Sequence, residues 1–317
     1  GVVAPKLDRI IHIKGDPSKN EFVQDITIKG MTFSDTTYSR HFNIFIPSDA
    51  AIWLTGARKC ILEGNRFVNL GGNAIRLEQQ SSENQILGNE IAHVGQGGVI
   101  LLGDNESQPT KNVIAGNWIH HIGEVLKHVA GVYCVSASET RVAHNLFEDL
   151  PRYAISFKSL NSKSYSHRNV AEYNDIHRTC LETVNGAAIE TTGPHKMDTG
   201  NVIQYNRITE TVGRVTGSDG KFKRPHLSWG ILLDGYSSGT TVRGNEVVDN
   251  AQGGLCVTGG RNNRIENNIF ANGREHQVLF RGDTFSRNNT FVRNVLQFSL
   301  IGADFIGSAG RWSNRFL

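Results

Sequence analysis

The chain has 317 residues, of which 38% are hydrophobic, 20% are charged and 34 are glycine. This is enough apolar material for a core and argues against disorder, whereas the high glycine content disfavours a helical bundle. Lys and Arg exceed Asp and Glu by only three, which is too little to indicate nucleic acid or an anionic membrane as a partner. No apolar run approaches the ~18 residues of a membrane-spanning helix.

A short unit, Asn-x-aliphatic or Asn-x-Phe, recurs along most of the chain at intervals of 23 to 39 residues. Its asparagines are Asn65, Asn89, Asn117, Asn145, Asn174, Asn206, Asn245, Asn268 and Asn294. Short apolar stretches before and after each unit predict three short strands per repeat, which is typical of a β-solenoid. A propeller blade would need roughly 40 residues and four strands. We therefore predict an all-β fold, a single-stranded right-handed parallel β-helix of about 9–11 coils.

The recurrent asparagines and the glycines that open each third strand are interpreted as scaffold. Asn tolerates left-handed backbone and can bond its neighbours, so stacked asparagines are expected to form a ladder at one corner. The four cysteines lack a paired Cys-x-x-Cys spacing, so we expect small buried hydrophobes rather than a disulfide framework or metal ligands. Because the chain opens at Gly1 without a signal-like segment, we expect residues 1–317 to be one continuous domain of a longer chain.

The two longest intervals between asparagines carry insertions. The first insertion spans residues 191–198 and the second spans residues 214–228. Because they occur on neighbouring coils, and because loops carry function, we expect them to wall a cleft on one side of the helix. The candidate substrate-binding residues are Lys127, His128, Tyr133, Lys158, His195, Lys196, His226, Trp229 and Tyr236.

Side-chain alternation along the third strands places Lys158, Glu190 and Asp234 on one exposed face, in three consecutive coils. The Cα atoms of Glu190 and Asp234 should be about 8 Å apart, which puts their carboxyl groups about 5 to 9 Å apart. That range fits the carboxylate pair of glycoside hydrolysis, in which a raised pKa on one member would supply the general acid. Solvated cross-strand pairing is the alternative interpretation of such residues.

Three stretches carry a resemblance to a known family: Phe22–Ser34, Gly186–Glu190 and Trp229–Gly239. They resemble right-handed β-helix carbohydrate-active enzymes, and most closely glycoside hydrolase family 141 and related secreted β-helix proteins. The resemblance implies α-fucosidase or xylanase activity with two acidic catalytic residues. These map to Glu190 and Asp234, with Asp198 as the fallback.

Two other functions remain open. In a uronate lyase or epimerase, Lys158 or a nearby Tyr would abstract the proton next to the uronate carboxylate, and Lys196 or Arg224 would neutralise that carboxylate. Alternatively, the β-helix is a non-catalytic surface, adhesion or filament module that binds glycan.

For all three functions the expected partner is a polysaccharide or oligosaccharide, and the expected location is secreted, periplasmic or cell-surface. No cofactor or metal is predicted, and Ca²⁺ is not indicated because the face lacks clustered Asp ligands. Oligomeric state is left open.

Overall fold

The computed structural model describes residues 4–38, 49–223, 226–281, 286–298 and 315–316. Three parallel β-sheets, here named sheets A, B and C, run along the molecule. Each coil contributes one strand to sheet A, then one to sheet B and one to sheet C, before the next coil begins. The predicted right-handed parallel β-helix is confirmed.

The strands of sheet A are Ile11–Lys14, Ala50–Thr55, Asn73–Glu78, Val99–Leu102, Ala130–Val135, Tyr153–Lys158, Gly186–Thr192, Ser228–Asp234, Gly253–Thr258 and Val278–Arg281. The strands of sheet B are Thr27–Lys29, Ile61–Glu63, Gln85–Leu87, Val113–Ala115, Arg141–Ala143, Val170–Glu172, Val202–Gln204, Thr241–Arg243, Arg264–Glu266, Thr290–Val292 and Arg315–Phe316. The strands of sheet C are Thr32–Ser34, Arg66–Leu70, Glu90–Val94, Trp118–Ile122, Leu146–Glu148, Asp175–Thr179, Arg207–Thr211, Glu246–Val248, Ile269–Ala271 and Val295–Gln297. Outside the three sheets, Val23–Gln24 pairs with Ala57–Arg58, and Pro17–Lys19 is a short 3₁₀ helix.

The core consists of inward side chains that stack from coil to coil. In sheet A, one such stack contains Ile52, Ile75, Val99, Val132, Ile155, Ile189, Ile231 and Leu255. All of these are buried, as period-2 alternation predicts for the face turned toward a core. A Cβ at Gly230 would lie 2.1 Å from Cγ1 of Val247, and one at Gly131 would lie 2.7 Å from the Phe147 ring. The strand-opening glycines are therefore scaffold, as predicted.

The predicted asparagine ladder runs through the turns between sheets B and C. In each step a side-chain amide donates to the next Oδ1, as in Asn117 to Asn145 at 2.9 Å. The same Oδ1 accepts from the backbone N–H of Asn117 at 3.0 Å, so each buried amide is satisfied. A second ladder, absent from the sequence prediction, lies between sheets A and B and includes Asn84 donating to Asn112 at 2.9 Å.

The four cysteines are buried and unbridged, as predicted. The described part of the chain contains no helix with the length and apolarity needed to cross a bilayer.

Candidate active site

The predicted alignment of the outer face of sheet A is correct. Ser156 pairs with Glu190, and Thr192 pairs with Asp234, through the parallel register of adjacent strands. Lys158, Glu190 and Asp234 therefore lie on three consecutive coils and on one face, as the alternation predicted.

The prediction that this face is exposed is wrong. Glu190 is only 2% exposed and Lys158 only 7% exposed. The outer positions on either side hold large apolar or aromatic side chains, which pack against one another between coils. One group comprises Ile100, Ala130, Tyr133, Val135 and Tyr153. The other comprises Ala187, Trp229, Leu232, Cys256 and Leu279. The Glu190 carboxylate and the Lys158 ammonium therefore lie among apolar side chains.

The Glu190 carboxylate is held by four neighbouring side chains. Its Oε1 accepts hydrogen bonds from Thr192 Oγ1 at 2.9 Å and from the Tyr153 hydroxyl at 3.3 Å, and Lys158 Nζ lies 3.4 Å from it. Its Oε2 accepts from Ser156 Oγ at 2.5 Å. A buried carboxylate with this many donors is stabilised in the ionised form.

These contacts determine the ionisation of Glu190. Burial by itself would raise the pKa, but the Lys158 ammonium and the hydrogen bonds from Ser156 and Thr192 outweigh it, and the pKa lies below its usual value. The Arg152 guanidinium acts in the same direction. Glu190 is therefore not the carboxyl group with a raised pKa that the sequence analysis expected in the catalytic pair.

Two tyrosines and an arginine complete this cluster. Arg152 donates to the Tyr153 hydroxyl at 2.8 Å and to the carbonyls of Val184 and Asn185. The Tyr133 hydroxyl is buried and has no hydrogen-bond partner among the described residues. Burial, reinforced by the Glu190 charge, raises the pKa of both phenols.

Sequence reasoning did not select Arg152, Tyr153 or Ser156. Ser156 pairs with Glu190 across the strands, so its outward position beside a candidate carboxylate was the signal that could have selected it.

Asp234 lies in a more open setting, at the carboxyl-terminal rim of sheet A. It is partly exposed, and its Oδ1 accepts a hydrogen bond from Thr258 Oγ1 at 2.7 Å. After the same strand, Tyr236 lies under the Lys196 ammonium at 4.6 Å.

A second aromatic contact on this rim joins two coils. The rings of His195 and Tyr165 are 4.8 Å apart. Burial lowers the pKa of His195, whose Nε2 has no hydrogen-bond partner among the described residues.

The two insertions do not wall one side of a cleft. The first follows the sheet A strand Gly186–Thr192, whereas the second precedes the sheet A strand Ser228–Asp234. They therefore lie at opposite ends of the sheet A strands, the first at the carboxyl-terminal end and the second at the amino-terminal end. The interval between successive asparagines of the turns between sheets B and C does not reveal this, because its length is the same whichever turn carries the extra residues.

The remaining candidates are spread over both edges. Trp229 is buried, and its indole donates to His276 at 3.0 Å, so its ring packs within the outer face. At the amino-terminal edge, Lys127 pairs with Glu182 at 2.7 Å, and the His128 ring lies 5.9 Å from the ring of Tyr153.

Two further candidates sit outside the Glu190 cluster. His226 is partly exposed in the second insertion. Asp198 accepts a hydrogen bond from Asn262 at 2.8 Å and lies 3.9 Å from Arg261. The structure therefore gives Asp198 partners other than Glu190 and Asp234. Across the described ranges, no group of three or more His, Cys, Asp or Glu is placed to hold a metal ion.

Comparison with known proteins identifies the family. The model of the right-handed β-helix region family matches residues 11–194 and 195–303, and the chain belongs to that family. No curated protein matches the chain significantly.

Several solved structures share the fold at low identity. The periplasmic alginate epimerase AlgG is 16% identical with a TM-score of 0.53, over 85% of this chain and 61% of that one. The catalytic unit of the GH87 α-1,3-glucanase from Streptomyces thermodiastaticus is 11% identical with a TM-score of 0.56, over 93% of this chain and 49% of that one. The alginate lyase from a Paenibacillus species is 12% identical with a TM-score of 0.52, over 88% and 89%. The chain thus covers less than two thirds of the epimerase and of the glucanase.

Proposed function

We propose that the protein is a glycan-cleaving glycoside hydrolase in which Asp234 and Glu190 supply the two carboxyl groups. The observation that carries the proposal is the contrast between their environments. Glu190 is buried and held ionised by Lys158, Ser156 and Thr192, whereas Asp234 lies at the partly exposed rim of the same face. Glycosidases pair a carboxyl group that donates a proton with a second that stays ionised, and differing environments assign the two roles.

The roles follow from these environments. Asp234 donates the proton to the leaving oxygen, and Glu190 remains the carboxylate that acts as nucleophile or base. Thr192 lies between the two, because it pairs with Asp234 across the strands and donates to Glu190. Glu190 is buried in this structure, so the proposed mechanism requires that the sugar reach it from the Asp234 rim.

The rim offers side chains of the kinds that bind sugars. Tyr236 and Tyr165 provide aromatic rings with a polar hydroxyl, and His195 and Lys196 provide hydrogen-bonding groups beside them. Neighbours of the same fold include an epimerase and a lyase named for alginate and an α-1,3-glucanase. This likeness is an analogy of fold, and it supports a glycan as the substrate class.

The test is Asp234→Asn, which keeps the size of a partly exposed side chain while removing its proton. Loss of a general acid should lower kcat roughly 10²- to 10⁴-fold on a glycan that the wild type cleaves. The thermal midpoint should barely change. Asp219→Asn, an exposed carboxylate of the second insertion, is the control and should retain full turnover. Unchanged turnover in Asp234→Asn would exclude the assignment.

A uronate lyase or epimerase is the second candidate, and the cluster around Glu190 favours it. Lys158 and the phenols of Tyr133 and Tyr153 are the candidate proton-transfer groups, and Arg152 adds a second cation. Lys196 would neutralise the uronate carboxylate from the rim, whereas Arg224 lies outside the described residues. A lyase would release products with an ultraviolet-absorbing double bond, and an epimerase would invert uronate units without cleavage. A hydrolase would release reducing ends without new absorbance.

The finer assignments are also proposals. The resemblance to glycoside hydrolase family 141 favours an α-fucosidase or a xylanase, and a secreted, periplasmic or cell-surface location fits a polysaccharide substrate. A non-catalytic glycan-binding module would bind a glycan panel without turnover of any member.

A further inference from the structure

A cleft lies away from the outer face of sheet A, at the turns that lead from sheet C into sheet A. Its volume is about 460 Å³, within the ~300–1,000 Å³ typical of ligand pockets. Residues from four consecutive coils line it: Arg178, Glu210, Thr211, Val212, Asp249, Ala251, Asn272 and Arg274. The lining thus combines guanidinium, carboxylate and amide groups, which together can donate to and accept from sugar hydroxyls.

Two of the lining carboxylates are neighbours. Thr209 pairs with Val248 in sheet C. The following residues, Glu210 and Asp249, therefore lie side by side on adjacent coils, with their backbones about 4.8 Å apart. Both have left-handed backbone, with φ of 60° and 58°. Like charges placed directly opposite each other destabilise a parallel pair, so this arrangement has no evident benefit for the fold.

The charge balance of the cleft can be read from its contacts. Arg178 is engaged by Asp149, with Nε–Oδ1 and Nη2–Oδ2 distances of 2.6 and 2.8 Å. No ion pair or side-chain hydrogen bond to another described residue is found for Glu210, Asp249 or Arg274. Arg178 also lies within electrostatic range of Glu210. With Asp149 included, the two arginines and three carboxylates of this region sum to a net charge of −1.

We propose that this cleft is a second glycan-binding site, which takes a sugar unit that is neutral or carries an amine and rejects uronate units. Glu210, Asp249 and Asn272 accept from or donate to hydroxyl or amino groups, and Arg274 donates to a ring or hydroxyl oxygen. A uronate carboxylate would meet the two unpaired carboxylates. The site does not depend on Asp234 or Glu190, so it goes beyond the proposed reaction.

The test is calorimetric titration of the full chain with a panel of soluble oligosaccharides of equal length: gluco-, xylo-, glucosamine and mannuronate oligomers. At least one of the first three should bind, and Glu210→Gln/Asp249→Asn should weaken that binding at least about tenfold or remove one site from the stoichiometry. Glu83→Gln/Glu246→Gln changes the charge by the same amount at exposed positions outside the cleft and should bind like the wild type.

Three results would overturn the proposal: no binding by any member, binding of the mannuronate oligomer alone, or binding that the cleft substitutions leave unchanged. Asp234→Asn separates this site from the proposed active site, because it should lower turnover while leaving binding at the cleft intact. A failure of the proposed catalytic function therefore leaves the test of cleft binding unaffected, and a failure of cleft binding leaves the test of catalysis unaffected.

Discussion

The outer face of sheet A and the cleft at the turns from sheet C to sheet A each hold two carboxylates on adjacent coils, but in opposite states. On the face, Glu190 is buried and has a cation and three hydroxyl donors. In the cleft, Glu210 and Asp249 are exposed, and neither forms an ion pair with another residue in the described part of the chain. A buried charge persists only when its partners compensate the lost hydration, whereas an exposed charge can stay unpaired because water solvates it.

The difference shows that spacing alone does not define an active site. Both pairs lie on adjacent coils, yet only the first combines a buried carboxylate that is held ionised with a partly exposed one. Both members of the second pair are exposed, which suits hydroxyl binding better than proton transfer between unlike groups.

The largest effect is expected for Glu190→Gln. The variant removes the negative charge that faces the buried Lys158 ammonium, which should lower the free energy of unfolding by about 3–5 kcal/mol. Urea denaturation measures this. The double variant Lys158→Met/Glu190→Gln also removes the buried ammonium and should recover most of the lost free energy of unfolding. If the single and double variants were equally unstable, the ion pair would not be the cause.

The second-largest effect is expected when the pH is lowered, because acid should remove the stabilisation that comes from Glu190. The pKa of Glu190 is lowered on folding, so its stabilisation is fully present above the usual Glu value near 4.5 and is lost as the pH falls through the folded value. Thermal midpoints measured from pH 6 downward should therefore fall more steeply in the wild type than in Lys158→Met/Glu190→Gln. Parallel curves would contradict the assignment.

The smallest effect is expected in the cleft. Asp249→Asn relieves the repulsion from Glu210, and Asn tolerates left-handed backbone well, so the free energy of unfolding should rise by about 0.2–1 kcal/mol. Adding salt should shrink this gain by screening the repulsion, whereas the Glu190→Gln effect should persist because buried pairs are screened less. The exposed control Glu246→Gln should stay within about 0.5 kcal/mol of the wild type. A clear loss of stability in Asp249→Asn would mean that the carboxylate has a structural role.

Much of the fold followed from local pattern. The interval between asparagines and the small residues that open the third strands gave the register of sheet A, including the pairing of Thr192 with Asp234. The burial of Glu190 and Trp229 did not follow, because an outward position becomes buried only when neighbouring coils also supply large side chains. The positions of the two insertions were also missed, since a repeat length does not reveal which turn is extended.

The sequence by itself determined the β-helical coil, the asparagine ladder between sheets B and C, and which side chains face outward. These features depend on a backbone period that recurs in every repeat. Only the tertiary structure decided that Glu190 is an ionised, buried group, that Arg152 and Tyr153 belong to its surroundings, and that Glu210 and Asp249 share a cleft. Ionisation and access depend on residues that are far apart in the chain and meet only when the coils stack.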